Sequence, residues 1–218
     1  MISALVIGGD LETLLREEKI NIQDRKILKK LLIDICQGME ALHSANIIHR
    51  DLACRNILIE EATLTAKITD FGLCTSFSHL PSHFLIAENV FCFLYFFLAA
   101  REIESYYSFP EFKGRSLPQR ILPPEALNNK KFFKESDVWM FGCLCWEVIT
   151  GKEPFHYIVD PLKVVEAVRA GASLANDFNL YNHAYPKKFI QLMKDCHKVE
   201  HKQRPSFTSI KQKLSDAL

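Results

Sequence analysis

Residues 136–150, Ser-Asp-Val-Trp-Met-Phe-Gly-Cys-Leu-Cys-Trp-Glu-Val-Ile-Thr, are apolar nearly all round a helical projection. A helix without a polar face is either surrounded by other elements or spans a membrane. About fifteen residues fall short of the roughly 20 that a bilayer requires, so the segment is expected at the centre of a helical domain. Ser136 is its candidate N-cap and Gly151 its stop. A second helix is predicted over 22–45, where Leu28, Leu31, Leu32, Ile35, Met39 and Leu42 recur at helical spacing. Gly8-Gly9-Asp10-Leu11 opens a first helix, with Asp10 as N-cap and Leu11, Leu14 and Leu15 as its stripe. Asp160-Pro161 starts another that runs through Arg169, and two more are expected over 187–197 and 206–217. Ile57-Leu58-Ile59 and Ala66-Lys67-Ile68 read as short strands. The prediction is one mainly α domain with a few short strands, and 218 residues suffice for its core.

Hydrophobic residues make up 48% and charged residues 24%, as in ordinary globular proteins. With 27 basic and 26 acidic residues the net charge is +1, which gives no basis for nucleic acid or an anionic membrane as partner. The seven cysteines are odd in number and form no Cys-x-x-Cys, so reduced buried thiols are expected rather than disulfides or a zinc site. The first ten residues have no basic region ahead of their apolar run and do not read as a signal peptide.

Chemistry concentrates at His49-Arg50-Asp51-Leu52-Ala53-Cys54-Arg55-Asn56 and at Asp70-Phe71-Gly72, which begins fourteen residues after Asn56. The two predicted strands between these motifs would bring Asn56 and Asp70 side by side. Asp51 is a carboxylate that could take the proton of an attacking hydroxyl. Asn56 and Asp70 offer oxygen ligands of the kind a hard cation prefers.

Both motifs, in this order and at this distance, resemble the protein kinase family and within it the tyrosine kinases. The resemblance implies transfer of the ATP γ-phosphate to a protein tyrosine, with ATP and Mg2+ as cofactors and a protein as substrate. By resemblance Asp51 is the base, Asn56 and Asp70 hold Mg2+, and Leu58 lies under the adenine. Arg55, in Ala53-Cys54-Arg55, is similar to the arginine of receptor-type tyrosine kinases and would carry charge toward the γ-phosphate or the tyrosine. Arg50 would pair with a phosphorylated residue of the activation loop. Tyr106 and Tyr107 look like that loop's tyrosine pair, with two ordinary exposed aromatics as the alternative. His49 and Phe71 take the packing role of the family's hydrophobic column. Glu125 would bridge to Arg204 in a buried pair, and Asp137 would hold the backbone of the His49–Asp51 loop. Four positions depart from the family pattern: Ile121 stands for a Trp, Pro123 for an Ala, Met140 for a Ser and His197 for a Trp. Proline lacks an N–H and fixes φ, so distortion of the segment around Pro123 is expected.

No Gly-x-Gly-x-x-Gly occurs in the chain, and no strand lysine precedes the His49 motif. The chain is therefore expected to be the hinge end and C-terminal lobe of a kinase, with the N-terminal lobe absent. Two functional readings follow: a tyrosine kinase whose 218 residues alone are inactive, or a non-catalytic truncated kinase or pseudokinase that binds partners. The expected location is the cytoplasm, or the cytoplasmic side of a membrane receptor if a span lies upstream of this chain. Residues 77–100 are anomalous. Positions 84–100 hold five of the sixteen phenylalanines, with Glu88 as the sole charge. A loop packed on the lobe, an interaction patch and non-coding sequence are the three readings; removing 77–100 restores a loop of ordinary length, which favours the last.

Overall fold

The computed structural model describes residues 7–70, 107–108 and 118–218. Phe71, Tyr106 and residues 77–100 lie outside the described residues.

Strand β1 (Ile7–Asp10) leads directly into helix α1 (Leu11–Arg16), where the Asp10 carboxylate accepts from Thr13 N at 2.8 Å. The capping role of Asp10 is as expected, but Gly8 and Gly9 are strand rather than helix start. Gly9 sits at a register shift with φ +138°, a backbone state that side chains rarely adopt. Helix α2 (Arg25–Ser44) buries the predicted leucine stripe against helix α7 (Phe207–Ala217) and strand β3 (Thr65–Ile68). Strand β2 (Ile57–Glu60) lies between β1 and β3 in an antiparallel sheet, with Ile57 opposite Ile68 and Leu58 opposite both Asp10 and Lys67. Asp34 of α2 ties helix to sheet by accepting from Ala66 N at 3.1 Å and from Lys30 Nζ at 2.7 Å.

A second pairing joins strand β4 (Tyr107–Ser108) to strand β5 (Lys131–Phe132), which follows helix α3 (Pro124–Asn129). Helix α4 (Lys134–Thr150) is the central element, buried from Ser136 through Trp146 and again at Val148 and Ile149. It ends at Gly151 in the left-handed region, φ +65°. Its start corrects the sequence reading. Phe133 is the N-cap, and Ser136 sits at the third helical position, where its Oγ accepts from Phe133 N at 3.0 Å. Serine is thus used three residues inside the helix, as the returning half of a capping arrangement.

Helix α5 (Pro161–Arg169) is capped by Asp160, which accepts from Leu162 N at 2.9 Å. Helix α6 (Lys187–Cys196) packs on both α4 and α7, and Ser206 caps α7. Arg120 secures the loop before α5 by donating to the carbonyls of Pro154, Phe155, Ile158 and Val159. Among the described residues the cysteines are all free and buried. No helix among them is long and apolar enough to cross a membrane.

Candidate active site

The loop His49–Asn56 runs across the end of α2 to β2, pinned to α4. Asp137, fully buried on α4, accepts from His49 N at 2.9 Å and from Arg50 N at 2.8 Å. Its Oδ2 also receives His43 Nε2 of α2 at 2.9 Å. The two backbone bonds hold Arg50 at φ +67°, a left-handed state that costs a non-glycine residue about 1–3 kcal/mol. This turn delivers Asp51 to the site. Asp51 is only 8% exposed, and both of its carboxylate oxygens are engaged. Oδ1 accepts from Arg55 Nη2, and Oδ2 from Asn56 Nδ2 at 2.9 Å. Asn56 Nδ2 also donates to the Asp51 carbonyl at 2.7 Å.

His49 is fully buried. Its Nε2 meets the Thr69 carbonyl at 3.0 Å, and its Nδ1 accepts from Asp51 N at 3.3 Å. Burial holds its pKa below the ordinary value, so the ring is neutral, with its proton on Nε2 where the carbonyl can accept it. Thr69 ties the strand end to the loop, its N and Oγ1 donating to the Asn56 carbonyl at 2.9 and 3.1 Å. Asp70 follows, exposed and at φ +57°.

Leu58 is half-buried, whereas Ile57 and Ile59 on the other face of β2 are core. It therefore points away from the strand's packed face. Arg55 is exposed apart from its contact with Asp51. The Arg50 guanidinium lies 5.8 Å from the centre of the Phe132 ring, and Phe132 pairs through its backbone with Tyr107.

Next to Asp137 on α4, Ser136 joins a buried cluster with Glu125 and Arg204. Arg204 Nη1 and Nη2 donate to the two Glu125 oxygens at 2.8 and 2.9 Å. Its remaining donors reach the carbonyls of Glu135, Lys198 and Val199, and Ser136 Oγ adds a bond to Glu125 Oε1 at 2.7 Å. A buried pair is stable only when satisfied to this degree. The prolines ahead of Glu125 cause no break in the helix. Pro123 is extended, φ −76° and ψ 159°, as a residue preceding Pro124 should be, and its carbonyl receives Ala126 N and Leu127 N at 3.1 Å each. Helix α3 starts cleanly because both prolines sit where no intrahelical N–H is needed.

Sequence reasoning missed Glu147. Its Oε2 accepts from Cys54 N at 3.1 Å, linking α4 to the loop a second time. The available signal was a carboxylate set among the apolar residues that follow Asp137 in α4.

The donor set fits Mg2+ in kind. Asn56 uses its amide nitrogen within the loop, which leaves its side-chain oxygen for a cation, and Asp70 adds a carboxylate from the adjoining strand end.

This mainly helical arrangement round an apolar central helix, with a small antiparallel sheet, has the build of a kinase C-terminal lobe. The chain belongs to the protein kinase family: the family model described as "Protein kinase domain" matches residues 1–214. Curated relatives place it in the tyrosine kinase group. It is 33% identical over 218 residues to mouse "Tyrosine-protein kinase TXK", covering 99% of this chain and 34% of that protein. It is 31% identical over 220 residues to human "Tyrosine-protein kinase FRK" (99% and 37%), and 30% over 217 residues to Caenorhabditis elegans "Tyrosine-protein kinase csk-1" (99% and 34%). The chain thus spans about a third of the length of the curated relatives it matches.

Proposed function

We propose that these residues form the catalytic-loop half of a protein-tyrosine kinase site that transfers the ATP γ-phosphate to a protein tyrosine. The observation that carries this reading is the Asp51 carboxylate, held between Arg55 and Asn56 on a loop fixed by Asp137. The tyrosine hydroxyl approaches Asp51 and displaces Arg55 from Oδ1. As the hydroxyl oxygen bonds to the γ-phosphorus, the bond from phosphorus to the β–γ bridging oxygen breaks. ADP leaves, and the phenolic proton passes to Asp51. Asn56 and Asp70 would hold the cation, and Leu58 would support the adenine. Mg2+, when bound, neutralises phosphate charge. Arg55, once displaced, supplies positive charge beside the transferring group. Arg50 and the Tyr106–Tyr107 pair form the regulatory contact, with phosphotyrosine docking on the guanidinium. The site works on the cytoplasmic side, where ATP is available.

The 218-residue sequence holds no Gly-x-Gly-x-x-Gly and no strand lysine ahead of His49 to clamp the phosphates, and positioning supplies most of the catalysis in phosphoryl transfer. The 218-residue chain alone is therefore expected to show no measurable activity. The second reading, a non-catalytic binding module, is favoured by the apolar run at 84–100 and by Ile121 and Pro123 in the docking segment. Full-length sequencing of the transcript, followed by a Mg-ATP phosphotyrosine assay of its longest product, separates the two. Activity abolished by Asp51→Asn supports the kinase. An inactive product that retains residues 77–100 supports the binding module.

A further inference from the structure

The turn Cys54–Asn56 that presents Arg55 and Asn56 to Asp51 has an incomplete N-terminus. Its N-cap residue is Ala53, which has no side-chain acceptor for the first free amide. Cys54 is 1% exposed, so water does not serve that amide either. The acceptor comes from a remote part of the chain: Glu147 Oε2, 3.1 Å from Cys54 N. The Cys54 thiol contacts the Leu144 carbonyl at 3.7 Å, one turn earlier on the same helix. Burial and the neighbouring Glu147 carboxylate hold this thiol well above its ordinary pKa, so it stays neutral and packs. Helix α4 therefore grips the catalytic loop on both sides of Asp51, through Asp137 at His49 and Arg50 and through Glu147 at Cys54.

We propose that Glu147 is a positioning residue of the phosphotransfer site: its carboxylate caps the Cys54–Asn56 turn from α4 and so fixes Arg55 and Asn56 relative to Asp51. The proposal rests on the reading of Asp51 and Asn56 as catalytic. A carboxylate is an unusual choice for this interior. It is desolvated, which raises its pKa, and only the Cys54 bonds and the charge of Arg55 offset that cost. An uncharged acceptor would bridge helix and loop with less penalty. The carboxylate adds a charge-assisted bond to the amide and a field that draws Arg55 toward the loop.

Hydrogen exchange of the 218-residue chain tests the capping directly, without any need for activity. In Glu147→Ala the amides of Cys54, Arg55 and Asn56 should exchange at least about 10-fold faster, while those of His49 and Arg50, held by Asp137, should change by less than about 3-fold. Glu147→Gln keeps an acceptor and should restore most of the protection. Should Glu147→Ala fail to fold, Glu147→Met fills the site without an acceptor and is read in its place. In the longest product of the transcript, the Ala variant should lose about 10- to 100-fold in kcat with KM for ATP held within about 3-fold, and Gln should recover most of the loss. Unchanged protection at 54–56 in the Ala or Met variant would overturn the proposal, as would a Gln variant as damaged as Ala. An inactive wild type would count against the kinase reading and would show separately from the exchange result.

Discussion

Gly142 of α4 and His197 at the end of α6 approach so closely that a Cβ on Gly142 would lie 2.5 Å from Cδ2 and 2.7 Å from Nε2 of the imidazole. The ring cannot retreat easily. It packs at 4.4 Å between centroids on Trp139 and at 5.8 Å on Phe178, and is 1% exposed. Gly142→Ala should destabilise the chain by about 1–3 kcal/mol, the usual cost of overpacking a core. Denaturant midpoints check this. The loss should be smaller when Ala is added to a His197→Ala background, because the clash is then gone.

His197 also sets a pH dependence. Burial, and after it the charge of Arg204, holds its pKa down at about 3, against an ordinary 6.5. His49 is lowered in the same direction, mainly by burial. Both rings are neutral in the folded state and charge in the unfolded one. Their contribution is therefore complete above about pH 6.5 and is lost on acidification below it. The expected slope is up to about 1.4 kcal/mol per pH unit for each histidine. Denaturation at a series of pH values between 5 and 8 measures it, and His197→Leu should flatten the slope whatever it does to stability at pH 8.

Glu125→Gln should cost about 3–5 kcal/mol, because it leaves the Arg204 charge buried without its counterion. Arg204→Lys should not rescue the pair, since a single ammonium cannot replace five N–H groups spread over Glu125 and three carbonyls. Urea midpoints of both variants test the two statements together.

Asp137→Asn removes the charge that receives His49 N, Arg50 N and His43 Nε2 at once. One amide oxygen cannot serve both backbone donors in the same geometry, and its NH2 would face a donor. Exchange at the His49 and Arg50 amides should accelerate by at least about 10-fold, with Cys54 less affected. Mass-spectrometric exchange resolved to these residues reads the difference.

The parts legible in the sequence were those with a local pattern. The leucine stripe of α2, the apolar run of α4 with Gly151 behind it, and Asp160-Pro161 ahead of α5 each carry their own punctuation. Asp51, Asn56, Asp137 and the Glu125–Arg204 pair were singled out through motifs. What was hidden depends on contacts between distant segments. Gly8-Gly9 reads as the start of a helix, and only β2 alongside makes it a strand. Ser136 has the chemistry of an N-cap, but the chain enters α4 two residues earlier and uses it from inside the helix. Pro123 looked disruptive because its place relative to the α3 start was not visible. Glu147 gave no local sign of its target, an amide 93 residues away.

The central claim is that Asp51 is the base of a phosphotransfer site that these residues complete only with a phosphate-binding lobe. The most direct test is Mg-ATP-dependent phosphotyrosine formation, comparing the longest product of the transcript, its Asp51→Asn variant and the 218-residue chain. Activity is expected in the first, at least about a 100-fold loss in the second, and none in the third. Full activity in Asp51→Asn, or robust activity from the 218 residues alone, would contradict it.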